Sequence, residues 1–108
     1  MTAWILLAIA IGFEIVGTTL LKLSDGFEKP LIGFAAIAAY SSSFWFFAPA
    51  IKVIPVGIAY AIWAGAGILA MAIIGLLFFD QRLGLLQFVF ISLILIGAVG
   101  LRLTTDLE

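Results

Sequence analysis

Four long apolar runs separated by three short polar breaks set the layout of this chain. At about 1.5 Å per helical residue and a hydrocarbon core of about 30 Å, each run is long enough to span a bilayer. The pattern predicts helices over about 3–22, 30–51, 55–79 and 85–103. The breaks carry the expected punctuation. In LSDGFEKP, Asp25-Gly26 interrupts the helical pattern and Pro30 stands where it can open the second helix; Pro55 does the same for the third. Asp80-Gln81-Arg82 forms a tight polar turn before the fourth, and Pro49 removes a backbone donor near the end of the second.

Within the runs, polar positions are few and therefore informative. Glu14 is the one charged side chain in the interior of an apolar run, where an ionisable group costs several kcal/mol and usually serves a pathway, a proton relay or a cation site. Its neighbours at three and four residues are Ala10, Ile11, Gly17 and Thr18. That flank of small and hydroxyl-bearing side chains can admit either a ligand or another helix. In the second helix Gly33, Ala36, Tyr40, Ser43 and Phe47 share a face, so Tyr40 and Ser43 form its polar stripe, serving either a ligand or interhelical hydrogen bonds. In the third, Tyr60, Trp63, Gly67 and Met71 fall on one side. Trp63 lies deeper than an interfacial belt residue, which favours a ligand-facing role, whereas Tyr60 also fits the belt. Gly65-Ala66-Gly67 offers close packing or a flexible point. The fourth helix has no ionisable residue in its interior; its small residues Ser92, Gly97 and Gly100 read as a packing face and are assigned to dimer contact.

Composition narrows the class further. A 108-residue chain that is 66% hydrophobic and 10% charged has more apolar surface than a soluble domain of its size can bury. The reading is one all-α integral membrane domain over residues 1–108, with the bilayer as its first partner. No basic segment precedes Trp4, and the first run exceeds a usual leader core, so it reads as a resident helix rather than a cleaved signal. A net charge of -1 gives no basic surface for nucleic acid, and the absence of Cys excludes disulfides and thiolate metal sites. With no His either, Glu14 is the carboxylic acid through which any coupling to protons must run. No nucleophile with a base, metal cluster or cofactor motif is present; an enzyme is not expected, nor is a cofactor or metal.

Charge placement also bears on assembly. Lys22, Lys29 and Arg82 fall on one side of the membrane, and Lys52, Arg102 and the amino terminus on the other. So even a balance does not fix one orientation. Two copies inserted in opposite senses would supply the inverted repeat that many transporters carry within one chain, and would bring two Glu14 carboxylates to one midplane cavity.

FEIVGTTLLK around Glu14, the SFWFF stretch of the second helix, IPVGIAYAIWAGAG in the third and FFDQRL before the fourth, taken together and in register, resemble the small multidrug resistance family over nearly the whole chain. The resemblance implies a bacterial inner-membrane, four-helix subunit working as an antiparallel, dual-topology homodimer that exchanges protons for lipophilic cations, quaternary ammonium compounds among them. It implies that Glu14 binds both, with Trp63, Tyr60, Tyr40, Trp4, Gly17, Thr18 and Ser43 around the site. Gly-Thr-Thr after the glutamate is similar to the exporters of polyaromatic cations more than to the guanidinium exporters of the family. An exporter of guanidinium-like metabolites, with Ser43 as a critical support, and a subunit that needs a related partner chain are the alternatives. Three positions depart from the family pattern: Trp4 where a tyrosine is common, Ala64 where a serine is common, and Phe90 where the dimer motif of the fourth helix has a small residue.

Overall fold

The computed structural model describes residues 2–105 and contains four helices: α1 (Thr2–Leu23), α2 (Pro30–Ala50), α3 (Val56–Phe78) and α4 (Leu85–Thr104). All four are long and apolar enough to cross a membrane. The chain is thus an all-α membrane protein with four spans among the described residues.

Small residues decide which helices approach closely. In lipid there is little hydrophobic drive between helices, so contact depends on backbones that can come near one another. From α1, Ala3, Leu7, Ala10 and Gly17 are buried; from α2, Gly33, Ala36, Ala39, Ser43 and Ala50. These two helices form an antiparallel hairpin in contact over most of its length. Helix α3 packs on α1 and α4, burying Ala59, Gly65, Gly67 and Gly75. No residue of α4 is buried. At one end of the bundle a core of Ala3, Leu7, Ala50, Ile54 and Ala59 joins the first three helices, with Trp4, Phe47 and Trp63 packed against it.

The connectors are tight. Between α1 and α2, Asp25, Gly26 and Phe27 take left-handed φ values of 54°, 69° and 68°. For a phenylalanine that conformation is unusual and must be held from outside. Ser24 is fully buried; its hydroxyl donates to the Leu21 carbonyl at 2.7 Å and accepts the Phe27 N–H at 3.1 Å. The Phe27 ring then lies over Gly33, where a Cβ would come within 2.6 Å of it. Gly33 therefore allows the turn to close. Helix α2 carries Pro49 in its last turn and ends one residue later, at Ala50. At the start of α4 the Gln87 Oε1 accepts the Gly84 N–H at 2.8 Å, satisfying one of the donors that the first turn leaves open.

The α3–α4 contact turns on Gly65, where an added Cβ would lie 2.9 Å from the Ala98 Cβ. Gly65→Ala should push the two helices apart and lower stability by about 1–3 kcal/mol, the usual cost of overpacking. Adding Ala98→Gly should restore most of the loss. Thermal unfolding in detergent checks the pair; equal loss in the single and double variants would show that this contact does not set the spacing.

Candidate functional site

Glu14 stands midway along α1, partly buried, with two different surroundings on its two sides. Toward α2 it is tied down. The Thr18 hydroxyl, one turn further along, donates to Glu14 Oε2 at 2.6 Å and stands 2.6 Å from the Tyr40 hydroxyl. A hydroxyl has one proton to give. With that of Thr18 directed at the carboxylate, Tyr40 donates to Thr18, and the chain runs Tyr40 to Thr18 to Glu14. Oxygens this close are typical of hydrogen bonds to a charged acceptor. The same chain serves a protonated Glu14 with every donor reversed.

Toward α3, Glu14 faces open space. A cleft of about 290 Å³ is lined by Glu14, Tyr60, Trp63, Ala64, Gly67, Ile68 and Met71. Glycine at position 67 makes the approach possible, because a Cβ there would stand only 2.5 Å from Glu14 Oε1. Trp63 is the centre of an aromatic wall. Its ring centroid lies 5.5 Å from that of Tyr60, 5.4 Å from Phe47 and 6.4 Å from Phe44. Its indole Nε1 is buried with no hydrogen-bond partner among the described residues. Met71 closes the far end and receives a weak contact from the Thr19 hydroxyl at 3.8 Å. A carboxylate beside aromatic faces in a site of low polarity is an arrangement that attracts cations.

The residues expected around the site separate into groups. Glu14, Tyr60, Trp63 and Gly67 line one cleft. Thr18 and Tyr40 stand behind the carboxylate and reach it through hydrogen bonds. Gly17 lies against the Tyr40 ring, where a Cβ would be 3.3 Å from ring carbons, so of the two readings of this flank, ligand or helix, α2 supplies the helix. Ser43 does not line the cleft. It is fully buried and donates to the Ala10 carbonyl at 2.6 Å, using the second lone pair that a helical carbonyl keeps. Trp4 lies outside the cleft as well, at the end of the bundle, with the Arg102 guanidinium carbon 4.3 Å from its ring centroid.

The other expected positions concern packing. Gly65 meets α4 at Ala98, whereas a Cβ on Gly97 would meet no other helix among the described residues within 4 Å. The Ser92 hydroxyl donates to the Phe88 carbonyl one turn back at 2.8 Å. Ser92 also borders a groove of about 120 Å³ shared with Leu69, Ala72 and Ile73 of α3. Ile68 lines the cleft although sequence reasoning passed over it. Its place one residue beyond Gly67 and four after Ala64 was the available signal.

Ser43→Ala should lower stability by about 0.6–2 kcal/mol, the range for interhelical hydrogen bonds in membranes. It should leave the Glu14 side of the cleft unchanged. Thermal unfolding, with Trp fluorescence as a check on the aromatic wall, measures both.

Comparison with known proteins points in one direction. A model of the Small Multidrug Resistance protein family matches residues 2–94. The chain is 42% identical to the quaternary ammonium compound-resistance protein QacF of Klebsiella aerogenes, over all of this chain and 98% of that one. It is 41% identical to the multidrug transporter EmrE of Escherichia coli strain K12, over 95% and 94% of the two chains. It is also 40% identical to the spermidine export protein MdtI of Cronobacter sakazakii, over 93% and 90%.

Proposed function

Because the chain belongs to the small multidrug resistance family, a family of membrane transporters and not of enzymes, we propose that it exports lipophilic and quaternary ammonium cations in exchange for protons, with Glu14 as the shared site. The observation that carries this reading is the two-sided setting of Glu14. On one side Thr18 and Tyr40 form a hydrogen-bond chain that accommodates either protonation state; on the other is a cleft walled by Tyr60 and Trp63. A deprotonated Glu14 holds a cation against the aromatic faces, and a proton neutralises the carboxylate and releases it. Ser43 is engaged with the Ala10 carbonyl, so it is not free to support a planar guanidinium at the cleft, which weighs against an exporter of guanidinium-like metabolites. The spermidine export protein among the relatives puts polyamines in the substrate panel.

The working unit in this reading is an antiparallel homodimer in the bacterial inner membrane. The described residues leave Glu14 only partly buried, beside an open cleft. A second copy inserted the other way up would face the cleft with its own, and α4, with no buried residue and with Gly97 open, is the element left for contact. The alternative, a subunit that needs a related chain, predicts that this chain alone confers no resistance to a quaternary ammonium compound.

Tetraphenylphosphonium added to purified protein in weakly buffered detergent should release protons, and because cation and proton compete for one carboxylate its apparent affinity should rise with pH. Glu14→Gln should abolish both high-affinity binding and release. Release that persists in Glu14→Gln, or wild-type binding indifferent to pH, would remove Glu14 from the mechanism.

Orientation has its own test. Two or three lysines added to the connector between α3 and α4 should force a single topology. That variant should be inactive alone and regain activity with an oppositely biased copy. Site-specific labelling of the wild type in one orientation only would contradict the antiparallel arrangement.

A further inference from the structure

Away from Glu14, helices α3 and α4 leave between them an open groove of about 290 Å³, walled by Ile62, Ala66 and Leu69 of α3 and by Leu95, Val99 and Arg102 of α4. The three α3 residues recur at helical spacing on one face, and Leu69 and Val99 stay exposed. Among the described residues Arg102 is the one charged side chain on these walls. It stands in the last turn of α4, with its guanidinium carbon 4.3 Å from the Trp4 ring centroid. Leu69 and Leu95 also wall the groove of about 120 Å³ beside Ser92, so the two grooves follow each other along one seam. From Arg102 to Ser92 is ten residues, about 15 Å at about 1.5 Å per residue, or half of a hydrocarbon core of about 30 Å. None of these residues borders the Glu14 cleft.

We infer that the seam between α3 and α4 binds an anionic phospholipid, with an acyl chain in the groove and the phosphate on Arg102. An aliphatic groove as deep as one leaflet, with a cation at its interfacial end, complements that molecule in both shape and charge. Basic pockets between membrane-spanning helices are where anionic head groups bind. A guanidinium matches two phosphate oxygens with paired N–H donors, and the Trp4 ring holds this one at the interface. Arg102 is exposed, so its head is free to meet a lipid. A second copy of the chain fits the seam less well. At about 100° per residue, Leu95, Val99 and Arg102 lie about 140–200° around α4 from Gly97, the position left open for dimer contact. A copy packed on the Gly97 side leaves the seam to lipid.

Dioleoylphosphatidylglycerol titrated into the full chain in detergent, with bound lipid counted by native mass spectrometry, is the probe. Dioleoylphosphatidylethanolamine, with the same chains and a zwitterionic head, is the comparison. The wild type should bind the first phosphatidylglycerol more tightly than phosphatidylethanolamine. Arg102→Gln should weaken phosphatidylglycerol binding by about 3- to 10-fold, the effect of one basic residue on an anionic lipid, and leave phosphatidylethanolamine unchanged. Arg102→Lys should keep most of the preference. Lys52→Gln, which removes another exposed cation at the same end of the bundle, should change nothing. Ala66→Leu, which fills the groove, should weaken phosphatidylglycerol binding with Arg102 intact. Glycerol 3-phosphate, a phosphate head without chains, should not displace the lipid from the wild type, and this decides the role of the groove even if Ala66→Leu fails to fold. Equal binding of the two lipids by the wild type, or equal losses in Lys52→Gln and Arg102→Gln, would show diffuse charge in place of a site. Displacement by glycerol 3-phosphate, or indifference to a folded Ala66→Leu, would reduce the site to an anion on Arg102 alone. A change of oligomeric state in Ala66→Leu with lipid binding unmoved would put a second copy in the seam. Each of these outcomes overturns the inference.

Discussion

A carboxyl group at the depth of Glu14 needs partners, and the arrangement of the first three helices follows from supplying them. Water is scarce there, and an unpaired charge is costly. Thr18 meets one oxygen from within α1, Tyr40 steadies Thr18 from α2, and Gly67 gives up its side chain so that α3 can stand beside the other oxygen. One side chain thus touches both neighbours of α1. Gly17 under the Tyr40 ring and Gly67 beside Glu14 are the same device used twice, a missing Cβ where two helices must come close.

The four spans were legible in the sequence because apolar runs of bilayer length, cut by Asp25-Gly26, Pro30, Pro55 and Asp80-Gln81-Arg82, leave few other solutions. Glu14 was legible because it is a lone charge in such a run. Helical spacing also put Tyr60, Trp63 and Gly67 on one face, and the structure brings that face to Glu14. Periodicity says which residues share a face, but not which helix covers it. For that reason the Gly17–Thr18 flank looked as open as the one toward α3, although α2 fills it. Ser43 lay on a polar stripe with Tyr40 and spends its hydroxyl on the Ala10 carbonyl instead, a choice fixed by helix rotation that no local pattern records. The meeting of Trp4 and Arg102 depends on how α4 returns across the bundle and leaves no mark in either segment.

In the proposed function, the aromatic wall separates two roles that the site has to combine. There Glu14 gives the charge, which acts strongly where water is scarce. Tyr60, Trp63 and Phe47 give surface, which is indifferent to the exact shape of what lies on it. A site made of one switchable charge and several tolerant faces discriminates by sign and apolarity more than by outline. The buried Trp63 Nε1 sharpens the point, since this indole donor has no partner among the described residues.

The uneven packing of the helices has a consequence for biosynthesis. Helices α1 and α2 bury small residues against each other along their length, while α4 buries none. A chain made from its amino terminus can thus close its first hairpin in the bilayer while the last helix is still on the ribosome. That helix then arrives to pack on α3 through Gly65 and Ala98, with its outer face left uncovered by its own chain. For the first hairpin folding is complete within the chain, and the outer face of α4 is what that folding leaves open.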